Sequence, residues 1–191
     1  MDIKKGISYV AFGFLFTLVN FNLNFGTVSV NIMPEFVGWI LFFMAHDCLE
    51  KYLGNKPYMK WIALVMAIVT GAFWIVDLTK ANIQVDIVKT IFNFVSMVYM
   101  YILFGSLEKL ANDYDSKHTK TIGMLKILNL TLYLITFVFA FIYIYNRLDT
   151  YAVITALVGI ATLVSAIFTA VILFKLRTEL LNYQDNKSTE E

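Results

Sequence analysis

The chain has 191 residues, of which 59% are apolar or aromatic and 15% charged, against roughly 45–50% and about 25% in an ordinary soluble domain. A water-soluble fold cannot bury that much apolar surface, so the composition excludes a soluble domain and predicts an integral membrane protein. The net charge of +1 excludes the clustered basic face that nucleic-acid phosphates require, and the single cysteine, Cys48, excludes an intramolecular disulfide and any multi-cysteine metal site.

In chain order, Asp2, Lys4 and Lys5 precede an apolar run at 7–19. No A-x-A-type cleavage site follows and several hydrophobic runs lie downstream, so this is a retained first span and not a signal peptide. Its length as a helix is only ~20 Å, against ~30 Å of hydrocarbon. The next apolar run, 36–45, is shorter still, at ~15 Å. It belongs to a predicted helix over 34–53 that Pro34 opens and Gly54 ends, after which Asn55, Lys56 and Pro57 restart the chain as a helix over 58–77. A fourth helix is expected over 86–110 with Asp86 as its N-cap, a fifth over 120–146, and a sixth over 150–181. The sixth holds the clearest span, 24 uncharged residues at 151–174. Residues 182–191 are expected as a polar tail.

The basic residues set the orientation. Lys4, Lys5, Lys51, Lys56, Lys60, Lys109, Lys117, Lys120, Lys126, Lys175, Arg177 and Lys187 fall on one side of this topology, against Lys80, Lys89 and Arg147 on the other. The imbalance places both termini in the cytoplasm. The expected class is an all-α integral membrane protein: a single domain over 1–181, built as a six-helix transmembrane bundle of three helical hairpins. A recurring Ile-Leu-Phe triplet at 40–42, 102–104 and 172–174 fits three hairpins built alike, and equally fits chance in so apolar a chain.

One stretch breaks the helical pattern. Residues 20–32 alternate polar and apolar on either side of Gly26, which predicts a short outer β-hairpin between the first two helices. Counting ~30 Å outward from the expected cytoplasmic boundary near residues 46–51 puts part of this hairpin at bilayer depth, where irregular backbone needs surrounding protein or a wet cavity. Asn20, Asn22, Asn24, Thr27 or Ser29, and Asn31 share one face. Either the hairpin caps the bundle, or its asparagines line an outward-open pocket of the kind transporters build at broken segments.

The segment Asn31-Ile-Met-Pro-Glu-Phe-Val-Gly-Trp-Ile-Leu resembles a pattern of small multi-pass membrane proteins of Firmicutes, in which a strand leads into a Leu-Pro-Asp-Phe-Ile-Gly-Tyr-like helix start. The resemblance covers roughly residues 10 to 50, with Met33, Glu35 and Trp39 replacing the pattern's Leu, Asp and Tyr. It implies a bacterial source and a hairpin-plus-helix unit, and implies no activity.

Four residues are the first candidates for a binding site: Asn22, Asn24, Glu35 and Asp77. The helix dipole suffices to explain Glu35 in a first helical turn, and an i,i+3 pair with Lys80 suffices to explain Asp77. His46, Asp47, Glu50 and Asp86 are secondary, the first three as an interfacial cluster and Asp86 as a cap paired with Lys89. Polar residues inside the spans, Asn93, Ser96, Asn129 and Thr131, either bond neighbouring helices or line a path. Trp39 is grouped with the interfacial aromatic anchors, although its depth suits that role poorly.

The leading expectation is a bacterial cytoplasmic-membrane protein that binds or transports a small polar solute or ion through an outward-facing polar site. The alternative is a non-catalytic accessory or immunity-type protein that docks a membrane partner through the hairpin. A third is an intramembrane lipid-acting enzyme, which the absence of G-x-S-x-G, H-E-x-x-H and phosphate-loop motifs disfavours. No cofactor and no metal are expected. The expected partners are the lipid bilayer, a polar solute or ion, or another membrane protein, and not nucleic acid.

Overall fold

The computed structural model describes the backbone of residues 2–18, 22–25, 28–31, 34–54, 56–79, 86–146 and 151–189, and the side chains of 3–18, 34–54, 56–79, 88–139 and 157–183. In chain order the elements are α1 (Asp2–Leu18), β1 (Asn22–Phe25), β2 (Val28–Asn31), α2 (Glu35–Leu53), α3 (Pro57–Thr79), α4 (Asp86–Asp113), α5 (Thr119–Asn146) and α6 (Tyr151–Thr189).

Local chemistry explains the boundaries. Pro34 is extended (φ −68°, ψ 132°) and its carbonyl accepts from Val37 N at 3.0 Å, starting α2. Gly54 ends that helix at φ 76°, a conformation that favours glycine, and Pro57 begins α3 where a missing N–H costs nothing. Between α4 and α5, Ser116 N bonds Ala111 O at 2.9 Å, closing the end of α4. The Ser116 hydroxyl then accepts from His118 N at 3.1 Å, capping the entry to α5.

Consecutive helices pack side by side and α1 closes against α6, so the six make a ring, with α3 touching α4 lightly and α2 reaching across to α4. The core is an aromatic-rich seam: Phe14 meets Phe104 edge-on at 4.9 Å, and Trp39 meets Tyr99 at 5.0 Å. Gly13 and Gly38 bring α1 and α2 into backbone contact, since a Cβ on Gly38 would stand 2.7 Å from Gly13 O.

The expected class, a six-helix transmembrane bundle with an outer β-hairpin, is corrected by this structure. Six helices form, but only four among the described residues are long and apolar enough to cross a bilayer: Pro57–Thr79, Val88–Asp113, Thr119–Phe139 and Leu157–Tyr183. These four are what make the chain a helical membrane protein. Helix α1 is short, with 17 residues, and α2 carries Glu35, Asp47, Glu50 and Lys51. Their apolar side chains, including Ile7, Phe14, Trp39 and Phe42, are instead spent on the core. The segment between them holds two four-residue strands in antiparallel register, Asn22 opposite Asn31 and Phe25 opposite Val28, with β2 beside α3. The fold itself does not mark this segment as outer.

Two boundaries also move. Helix α1 begins at Asp2 and not near residue 7, because Ile3 is buried with Ile7 and Val10 while Lys4 and Lys5 stay exposed. Helix α6 runs on to Thr189, so the polar tail expected from residue 182 continues the helix. No Gly or Pro interrupts its far half, and buried Leu176 and Leu180 hold that end to the bundle.

Candidate functional site: a polar cavity behind Glu35

Between the helices lies a cavity of about 220 Å³ to which five helices contribute. Helix α1 supplies Thr17 and Leu18, α2 supplies Glu35, α4 supplies Asn93 and Ser96, and α6 supplies Thr162. The longest wall is α5, through Asn129, Leu132, Tyr133, Thr136 and Phe137. Asn129, Tyr133 and Thr136 stand four and three residues apart and so share one helix face. At roughly 30 Å³ per water, this is room for a small polar solute or a partly hydrated ion.

The hydrogen bonds set the chemistry of the lining. Thr17 Oγ1 donates to Gly13 O at 3.0 Å, Ser96 Oγ to Phe92 O at 3.0 Å, Thr136 Oγ1 to Leu132 O at 2.9 Å and Thr162 Oγ1 to Val158 O at 2.8 Å. A hydroxyl has one proton to give, so each of these four oxygens offers the cavity only lone pairs. Asn129 is committed to α6, its Oδ1 accepting from Ser165 Oγ at 2.9 Å and its Nδ2 donating to Thr169 Oγ1 at 3.3 Å. Glu35 Oε1 accepts from Trp39 Nε1 at 2.9 Å, which orients the carboxylate and leaves further acceptor capacity on it. The wall therefore sets the Glu35 carboxylate and four hydroxyl lone pairs beside the donor-capable Asn93 and Tyr133. Among the described residues no three His, Cys, Asp or Glu side chains converge, so what the cavity offers is a set of hard oxygens.

The other first candidates fall into two places. Asn22 and Asn24 sit on β1 opposite Asn31 and Ser29, and their side chains lie outside the described residues. Asp77 does not line the cavity; its exposed carboxylate is held by Lys89 from α4, with Nζ 2.9 Å from Oδ1 and 3.2 Å from Oδ2. Lys89 also lies within electrostatic reach of Glu35, and so does Tyr133. The Lys89–Asp77 pair is hidden while Asp77 is read with Lys80 and Lys89 with Asp86. Asp86 opens α4, and its side chain is outside the described residues.

The His46 cluster comes apart. His46 is buried and shares a 3.0 Å hydrogen bond with Tyr99, so it is a core residue and not an interfacial one. Asp47 pairs with Lys60 of α3, whose ammonium also lies 4.9 Å from the Phe43 ring, and Glu50 is exposed. Trp39 is wholly buried, so it is no membrane anchor and instead serves Glu35. The sequence held usable signals for the cavity in Glu35 and in the in-span polar residues Asn93, Ser96 and Asn129, whereas Tyr133, Thr136 and Thr162 escape the sequence reading. Comparison of the chain with protein families, with curated proteins and with solved structures gives no match.

Proposed function

We propose that the chain is a multi-pass protein of a bacterial cytoplasmic membrane, both termini cytoplasmic, that binds a small cation or an ammonium-bearing solute in the Glu35 cavity. The observation that carries this reading is the Glu35 carboxylate held among hydroxyl oxygens at the edge of the cavity. One carboxylate and four hydroxyls whose protons are already given to backbone carbonyls face the same 220 Å³ space. Such a surface favours a ligand that brings positive charge or N–H groups and disfavours an anion. Hard, uncharged oxygens with a single carboxylate suit a monovalent ion or a primary ammonium better than a transition metal. Carboxylates inside a membrane protein are costly to keep, which is why such positions are read as functional by default.

The test is thermal unfolding of the purified chain in detergent with sodium, potassium or methylammonium chloride, against equal ionic strength of a bulky organic cation. Ligand at 100 times its dissociation constant stabilises the folded state by about 2.7 kcal/mol. At least one small cation should raise the midpoint, and Glu35→Gln should abolish the rise. If no small cation differs from the bulky control, the site does not bind cations and the proposal fails. A docking role for the strand pair would show no such ion dependence. Flux into proteoliposomes then separates transport from binding alone.

A further inference from the structure

At the end of the bundle that holds the α4–α5 turn, a second pocket of about 660 Å³ lies between that turn and α6. Its polar rim is Lys117 and His118 from the turn, with Lys175, Thr178 and Asn182 from α6, and its apolar wall is Val171 and Phe174. Among the described residues Glu179 is the one carboxylate lining it, and the turn occupies it: Ser116 Oγ donates to its Oε2 at 2.5 Å and Lys117 N to its Oε1 at 3.4 Å. That tie pins the turn to α6 and sets Lys117 and His118 beside Lys175. The rim's cationic groups are the ammoniums of Lys117 and Lys175, while Thr178 gives its proton to Phe174 O at 3.1 Å.

The face of α6 that leads to this rim is apolar and exposed. Val164, Ile167, Phe168 and Val171 are 43% to 61% exposed, and their spacing continues at Lys175, Thr178 and Asn182 on the same helix face. One stripe thus passes from lipid-facing hydrocarbon to a lysine rim within three turns. A free anion would use only the rim. An amphiphile with an anionic head would use both, its acyl chain along the stripe and its head among Lys175, Lys117 and His118.

We infer that this pocket is a binding site for an anionic phospholipid, with the phosphate at Lys117 and Lys175 and an acyl chain along the 164–171 face of α6. The excess of lysines at this end would place the site in the cytoplasmic leaflet, where anionic lipid headgroups attract basic pockets. The inference is independent of the Glu35 cavity, since the two sites share no residue.

Native mass spectrometry of the full chain, released from micelles doped with phosphatidylglycerol or phosphatidylcholine, provides the test. The unmodified protein should retain phosphatidylglycerol in clear preference. The double variant Lys117→Gln, Lys175→Gln should lower that retention on the order of tenfold. Lys4→Gln with Lys5→Gln, exposed lysines of α1 that do not line the pocket, should leave it unchanged. Lack of preference in the unmodified protein overturns the site whether or not any variant folds. Equal loss in both double variants would mean bulk surface charge and no pocket. Displacement of the lipid by inorganic phosphate alone would mean a free-anion site and would overturn the lipid assignment.

Discussion

Trp39 Nε1 donates to Glu35 Oε1 across one turn of α2, at 2.9 Å. The indole is wholly buried against Phe42 and Tyr99, and its N–H orients the carboxylate at the edge of the cavity. An indole has a single donor and no acceptor, so it satisfies one lone pair of the carboxylate and adds no second polar atom to the core.

Two substitutions at this pair should separate binding from stability. Glu35→Gln keeps an acceptor oxygen for the indole and should change unfolding free energy by less than about 1 kcal/mol while abolishing the response to small cations. Trp39→Phe removes the donor to a charged acceptor and should cost about 2 kcal/mol, with a weakened cation response. Reversible unfolding in mixed micelles, with and without cation, reads both.

Lys89 and Asp77 form an ion pair between α3 and α4 whose side chains are 36% and 61% exposed. At that exposure the coupling energy in a double-mutant cycle should stay under about 1 kcal/mol and shrink as salt is added. The Lys89 ammonium is a positive charge within electrostatic range of Glu35, so Lys89→Met should alter cation affinity more than Asp77→Asn does. Equal effects on affinity would show that Lys89 serves only its pair with Asp77.

The Gly13–Gly38 contact predicts a contrast among glycines. Gly38→Ala places a Cβ 2.7 Å from backbone and should destabilise by about 1–3 kcal/mol, because the α1–α2 crossing has to open. The added carbon also meets Thr17 Cγ2 at 2.6 Å, so the cavity wall shifts with it and cation binding should weaken. Gly105→Ala, with nothing within 4 Å, should be neutral or stabilise by about 0.5–1 kcal/mol through helix propensity. Unfolding midpoints of the two variants check the contrast directly.

His46 and Tyr99 join α2 to α4 through a buried 3.0 Å hydrogen bond. A cycle of His46→Leu and Tyr99→Phe should show a coupling of about 1 kcal/mol, with the two single losses summing to more than the loss in the double variant. Additive losses would mean that the two side chains contribute only through packing.

The amino-acid sequence by itself determined what short-range chemistry can carry. Apolar runs of bilayer length, Pro34 and Pro57 at helix starts and Gly54 at a helix end all act within a few residues, so each is legible without a partner. Tertiary structure decided which helix faces meet. Glu35, Asn93, Ser96, Tyr133 and Thr162 converge on one cavity from four helices, and no local pattern ties position 35 to position 162. Each helix's rotation about its axis is set by where its neighbour can approach, and here Gly13 and Gly38 allow α1 and α2 to close until Thr17 and Glu35 border the same space. For the same reason, local spacing offers Asp77 a partner in Lys80, whereas the packing of α3 against α4 brings Lys89 to it. The pitch of a helix is a property of its own chain, and the partner across a helix interface is a property of the whole fold.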